Sequence, residues 1–241
     1  MTFKLITLNI EGNKHLHTVI PFLKKEKPDV LCLQEVYDSD FEKYKEASGL
    51  DGVFIPMFKG ISRPTENTNP NVVQGIALLT NFPNNGIKAT TYFGDENVPR
   101  FTTVAEIPRK LVYTTIEVDG EKFNVGTIHF TWTPDGEAND SQRKNFKELM
   151  KVLEQFDELI LCGDFNAPRG KEIFKKFEQQ FKDNVPLDVD TTLDLDMHRK
   201  APLYYVVDTI FTTPAYKVSN VRVVDGVSDH KAVIGEVDKA L

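Results

Sequence analysis

Cysteine is almost absent: the 241 residues include only two, Cys32 and Cys162, and each lies inside an apolar run. This excludes a disulfide-stapled scaffold and a cysteine-built zinc site. Both read as small core hydrophobes in a reducing, cytoplasmic compartment. Long hydrophobic runs are absent too, since no stretch approaches the roughly 18 apolar residues that a membrane span needs. The chain enters a strand-like pattern at Thr2-Phe3-Lys4-Leu5-Ile6, with no basic segment and apolar core of a secretory leader ahead of it. Positive charge is in deficit. A net charge of −7 argues against a basic surface that wraps nucleic acid. It leaves phosphate substrates open, because a divalent cation and a local basic patch can supply the missing charge.

What remains has the make-up of a globular protein, with 40% hydrophobic and 27% charged residues and no shift in composition along the chain. A single domain over 1–241 is expected, as a monomer. Apolar runs predict strands over 3–10, 30–33, 53–58, 72–79, 102–107 and 111–118. Further strands are expected over 123–130, 159–163, 204–211, 217–224 and 232–237. Helical spacing predicts helices over 16–27, 41–47 and 171–181, and another from Asp140 with Phe146, Leu149, Met150 and Leu153 on one face. Asp119-Gly120 marks a hairpin. Polar loops are expected over 59–71 and 183–200. The second carries Asp188, Asp190, Asp194 and Asp196, spaced too loosely for a calcium loop.

The chemistry gathers at strand ends. A buried strand over 159–162 stops at Gly163, and Asp164 and Asn166 follow with one residue between them. In extended backbone they would share a face at the strand's C-terminal end, where α/β folds place ligands. Other strands deliver Asn9, Glu35 and His129 to similar positions, and Asp229 and His230 stand just before the last strand. Asp208 lies inside Val206-Val207-Asp208-Thr209-Ile210-Phe211. A carboxylate there must be paired, because burying it alone is costly. His230 is its natural partner, and such a pair fixes the imidazole tautomer. Oxygen ligands such as Glu35 suit Mg²⁺, with Mn²⁺ also able to serve.

These residues sit in motifs that run in order: Thr7-Leu8-Asn9, Leu33-Gln34-Glu35, Gly75-Ile76-Ala77-Leu78-Leu79, Thr127-Ile128-His129, Gly163-Asp164-Phe165-Asn166, Asp208-Thr209-Ile210-Phe211 and Ser228-Asp229-His230. In this the chain resembles the endonuclease/exonuclease/phosphatase superfamily of metal-dependent phosphoesterases, which includes DNase I-like and exonuclease III-like nucleases. The resemblance implies an α/β fold: two mixed β-sheets packed face to face and flanked by helices, a four-layer sandwich. It implies that Glu35 binds the metal, with Asn9 beside it and Asp229 close by. Asp164 and Asn166 would hold water and phosphate, His129 would donate to a phosphate oxygen, and His230 would act as base or phosphate ligand, oriented by Asp208. It leaves open one metal or two, and whether Asp164 or His230 takes the water's proton. His129 stands where abasic-site endonucleases carry Tyr, and Gln74 where DNase I-like enzymes carry an acid.

The leading expectation is a phosphodiesterase acting on nucleic acid, DNA first. Its local support is the basic set Arg169, Lys171 and Lys175 after the Asp164 motif, with His198, Arg199 and Lys200 in the second loop. The alternative is another phosphoester: a 5′-tyrosyl–DNA linkage, a phosphoinositide or a sphingolipid headgroup. An inactive phosphate-binding scaffold would be expected to have lost some of the motif residues, and all are present.

Overall fold

The computed structural model describes residues 2–60 and 71–240. The first half of the chain runs β1 (Phe3–Asn9), α1 (Leu16–Glu26), β2 (Val30–Tyr37), α2 (Phe41–Ser48), β3 (Gly52–Lys59), β4 (Val73–Thr80), β5 (Lys88–Phe93) and β6 (Arg109–Val118). The second half runs β7 (Glu121–His129), α3 (Asp140–Leu153), β8 (Ile160–Asp164), α4 (Glu172–Glu178), β9 (Lys182–Asp183), β10 (Asp208–Thr212), β11 (Tyr216–Val224) and β12 (Ala232–Lys239). They form two mixed six-stranded sheets, ordered β11-β12-β1-β2-β4-β3 and β5-β6-β7-β8-β10-β9.

Three apolar layers hold the sandwich. Between the sheets, Phe3, Leu5, Ile76 and Leu78 meet Val112, Phe123, Val125 and Ile210. Cys32 and Cys162 lie in that layer as free, fully buried thiols. On one outer face α1 lays Val19, Phe22 and Leu23 over Leu8, Leu31 and Leu33. On the other, α3 and α4 cover β7 and β8 through Leu149, Leu153, Phe174 and Phe177. The Asn139 side chain starts α3 by accepting from the Gln142 amide.

Strand polarity positions the site. Each sheet has one parallel pair near its centre, β1–β2 in the first and β7–β8 in the second, joined across α1 and α3. Their C-terminal ends carry Asn9, Glu35, His129 and Asp164. The antiparallel neighbours β10 and β12 begin where these strands end, so Asp208 and the Asp229-His230 pair reach the same edge.

The local expectations fail where context overrides pattern. Residues 102–107 form no strand but a 3₁₀ turn at Val104–Glu106, closed by Pro108. β5, Lys88-Ala89-Thr90-Thr91-Tyr92-Phe93, was unexpected; as an edge strand it has little apolar alternation to reveal it. Residues 204–207 are not in a strand, which begins at Asp208, and α4 is shorter than the expected 171–181. Within the expected 183–200 loop, Leu193 bridges to His230. Of the 59–71 loop, residues 61–70 lie outside the described residues.

Candidate active site

Glu35 reaches the cleft through a backbone irregularity. The β2–β4 register shifts between Leu33 and Val36, and Glu35 has a left-handed φ of 59°. This bulge turns Glu35 out of the alternation while Gln34 points between the sheets, donating to Thr7 and Thr127 at 3.2 and 3.1 Å. A non-glycine residue in that region costs about 1–3 kcal/mol, a strain typical of functional positions. Asn166 is also left-handed, with φ 47°. Asp164 and Asn166 are therefore not aligned by extended alternation, as the sequence suggested. The chain folds back, so that the Asn166 amide N–H donates to Asp164 Oδ1 at 2.8 Å and its side chain to Oδ2 at 3.2 Å. Gly163 permits this: at φ 137°, a Cβ would lie 2.0 Å from the Ile128 carbonyl oxygen.

The two sheets meet at these side chains. The Asn9 amide donates to Asp164 Oδ2 at 3.0 Å and to Glu35 Oε1 at 3.3 Å. Gln74 donates to the other Glu35 oxygen at 3.3 Å. His129 Nε2 stands 3.4 Å from Asp164 Oδ2 and 3.8 Å from Glu35 Oε1. His230 Nδ1 lies 2.9 Å from Asp208 Oδ2, which also accepts from the Thr192 hydroxyl at 2.8 Å. Asp208 Oδ1 is buried with no partner among the described residues. Burial pushes the Asp164 carboxyl above its ordinary value, and the Asp208 charge adds to this against the pull of His230 and His129. Burial alone would depress His230, but the carboxylates of Asp208, Asp164 and Asp229 outweigh it and hold the imidazole well above its ordinary value.

Asp229 lies beside His230, yet its carboxylate groups with Glu11 and His15, with ligand atoms within 4.8 Å of one another. Asp164, Asp208 and His230 make a second such group. Both could hold a cation, and neither includes Glu35.

The basic set expected after the Asp164 motif is dispersed. Arg169 binds Asp183 Oδ2 at 2.8 Å through Nε and donates to the carbonyls of Val185, Pro186 and Val189. Its guanidinium is committed to the chain itself, which removes it from the expected substrate contacts. Lys175 is exposed on α4 and does not line the cleft. Lys171 pairs with Glu137 at 2.9 Å and donates to the Asp135 carbonyl at the cleft mouth. His198 and Arg199 line the cleft, with Lys200 beside them.

Sequence reasoning missed several residues here. Thr192 orients Asp208, and Asp194 accepts from Gly226, Asp196 and Met197 while its own N–H holds the Asp229 carbonyl at 2.9 Å. Arg109, 1% exposed, donates to the His129 carbonyl at 3.1 Å, and its Nε has no partner among the described residues. Burial lowers its pKa, opposed by Tyr92, Asp164 and Glu35. Trp132 and Tyr205 line the cleft as well. None of these left a clear sequence signal: Arg109 opens β6 between Pro108 and Lys110, where a basic residue reads as a solvated strand end.

A two-sheet sandwich with carboxylates, amides and imidazoles converging on one edge defines a class of phosphoesterases. The model of the Endonuclease/Exonuclease/phosphatase family matches residues 6–230, and the chain belongs to that family. Mouse (Mus musculus) Nocturnin is 28% identical over 160 residues, which is 63% of this chain and 35% of that protein. The chain thus spans about a third of the length of the curated relative it matches. Among solved structures, the Bacteroides thetaiotaomicron mannosyl-6-phosphatase Bt3783 superposes with a TM-score of 0.73 at 16% identity, covering 99% of this chain and 100% of that one. ANGEL2, described as a 2′,3′-cyclic phosphatase in complex with adenosine-2′,3′-vanadate, gives 0.71 at 12% identity, covering 98% and 95%.

Proposed function

We propose that the chain is a divalent-metal-dependent hydrolase of compact or terminal phosphoesters. The observation that carries this is the shape of the cleft. The segment after β7 and the segment before β10 are stitched across its mouth, where the Asp135 carbonyl accepts from both Lys171 Nζ and the Tyr205 hydroxyl, at 2.5 and 3.1 Å. What remains is a walled cavity of about 240 Å³ with Glu35, His129, Asp164 and His230 in its lining. A duplex would need an open groove flanked by cations, and Arg169 and Lys175 do not supply one. A nuclease acting on a strand end is the second reading, favoured by Arg199 and Lys200 in the cavity lining.

The donor set fits a hard cation. Glu35, held by Asn9 and Gln74, would be the first oxygen ligand, and Asp229, which groups with Glu11 and His15, would be a further one. Such a cation, when bound, neutralises charge on the phosphoryl group and lowers the pKa of water. The chain's own residues do the rest. Asp164, braced by Asn9 and Asn166, orients the water and accepts its proton. His129 and His230 donate to phosphoryl oxygens, and Asp208, accepting from Nδ1–H, favours the protonated His230, whose Nε2–H is then left to donate.

Nitrophenol release from bis(4-nitrophenyl) phosphate, phosphate release from nucleoside and sugar phosphates, and strand cutting of plasmid, each in Mg²⁺, Mn²⁺ and EDTA, test the reading. Glu35→Ala and EDTA should each abolish turnover, EDTA reversibly. Full activity in EDTA removes the metal, and plasmid cut faster than every small ester removes the compact substrate.

A further inference from the structure

Beyond the catalytic residues, the cavity has walls that the chemistry of phosphate does not explain. Trp132, the only tryptophan of the chain, is 36% exposed and lines it. Lys200 Nζ lies 5.8 Å from the centre of its ring, and Tyr205, on the facing segment, carries Lys171 Nζ at 4.7 Å. A tryptophan left that open beside this centre loses apolar burial that no other described residue recovers. Phe58, Val104, Ile107, Leu203 and Val207 complete the walls away from the carboxylates. Next to them stand two cations. Among the described residues neither Arg199 nor Lys200 pairs with a carboxylate, and both line the cavity. They follow His198, whose ring lies 6.2 Å from that of the catalytic His230.

We propose that this part of the cavity is a subsite for a nucleotide: its base stacks on Trp132, and a second phosphate, separate from the one being hydrolysed, binds Arg199 and Lys200. The proposal rests on the phosphoester reading above and names its substrate class. Two features select a nucleotide over a sugar phosphate. A flat base matches apolar and aromatic walls, whereas a polyhydroxylated ring would lose water from its hydroxyls without gaining partners there. A sugar monophosphate would also leave the second pair of cations without an anion. Cations near His230 suit an anion close to the scissile group, as in a nucleoside bisphosphate.

The test uses the purified chain with Mg²⁺. Adenosine 3′,5′-bisphosphate, AMP, ribose 5-phosphate and mannose 6-phosphate are compared by phosphate release. The bisphosphate should have the highest kcat/KM, and ribose 5-phosphate should fall about tenfold or more below AMP. Trp132→Ala should cut the AMP to ribose 5-phosphate ratio by about tenfold, through KM, and Trp132→Phe should restore most of it. Arg199→Ala with Lys200→Ala should cut the preference for bisphosphate over AMP. Saturable quenching of Trp132 fluorescence by adenosine 3′,5′-bisphosphate reads the stacking without turnover. Equal losses on all substrates in Trp132→Ala, a preference for mannose 6-phosphate, or no quenching would each overturn the subsite. If neither bis(4-nitrophenyl) phosphate nor any of these monoesters is hydrolysed in any metal, the phosphoester reading fails, and the fluorescence titration still decides the subsite.

Discussion

At the scale of single residues, orientation matters more than presence. Asp208 holds His230 and is itself held by Thr192, whose hydroxyl also accepts the N–H groups of Val207 and Asp208 at 3.0 Å. Asp208→Asn should keep the fold and lower kcat by about 10³–10⁴-fold, as loss of an orienting carboxylate does in a triad. Thr192→Val should act in the same direction more weakly, about tenfold or less, because the carboxylate stays and loses one donor, while the Val207 and Asp208 N–H groups lose their shared acceptor. Steady-state kinetics on a small phosphoester, with circular dichroism as the folding control, measures both. Wild-type kcat in Asp208→Asn would reject the pair. Arg169 behaves differently. Its side chain closes the 183–189 segment through Asp183 and three carbonyls, so Arg169→Met should cost a few kcal/mol of stability in chemical denaturation. The salt dependence of ligand binding should stay as it was.

At the scale of elements, α4 is fastened by one ring. Phe177 packs edge-on against Phe146 and Phe165 at 4.9 Å and Phe130 at 5.7 Å, and stacks on Phe211 at 5.6 Å. Phe177→Ala should destabilise the protein by about 3–5 kcal/mol, because a ring enclosed by other rings leaves a cavity that cannot collapse. Urea denaturation measures it. On the opposite face, the end of α1 is tied to β11 by Glu26 and Arg222 at 2.6 Å. The hydrogen bond from Arg222 lowers the Glu26 pKa from 4.5, against a smaller cost of burial. A depressed carboxyl contributes stability above its unfolded value, and this is lost as pH falls through the folded value. Arg222 is half exposed, so the contribution is about 1 kcal/mol or less. Glu26→Gln should lower the urea midpoint at neutral pH, and the gap should close in acid. A gap that persists in acid would mean that packing, not charge, joins these elements.

For the whole molecule, legibility divides along physical lines. The strand-end residues were readable because a polar group closing an apolar run is unusual, and the order of the motifs carried the two-sheet architecture. Arg169 was misread because a basic residue after a catalytic strand looks the same whether it faces substrate or Asp183. The left-handed backbone of Glu35 was invisible, since it arises from how β2 pairs with β4 rather than from its neighbours in sequence. Trp132 and Tyr205 went unnoticed because their role depends on two loops, far apart in the chain, meeting at Asp135.

The contacts that join the sheets at the site have a mechanical meaning. Asn9 belongs to one sheet and Asp164 to the other, as do Gln34 and Thr127, while His230, just ahead of β12 of the first sheet, meets Asp208 of the second. Each pair spans the gap that Phe3, Ile76, Val112 and Ile210 fill. The inter-sheet core therefore works as a spacer gauge for the chemistry. A methylene lost or added there alters how far apart the two halves of the centre stand, and a sub-ångström change is enough to open hydrogen bonds near 3 Å. Heat or denaturant that loosens this layer should silence turnover while both sheets still retain their strands.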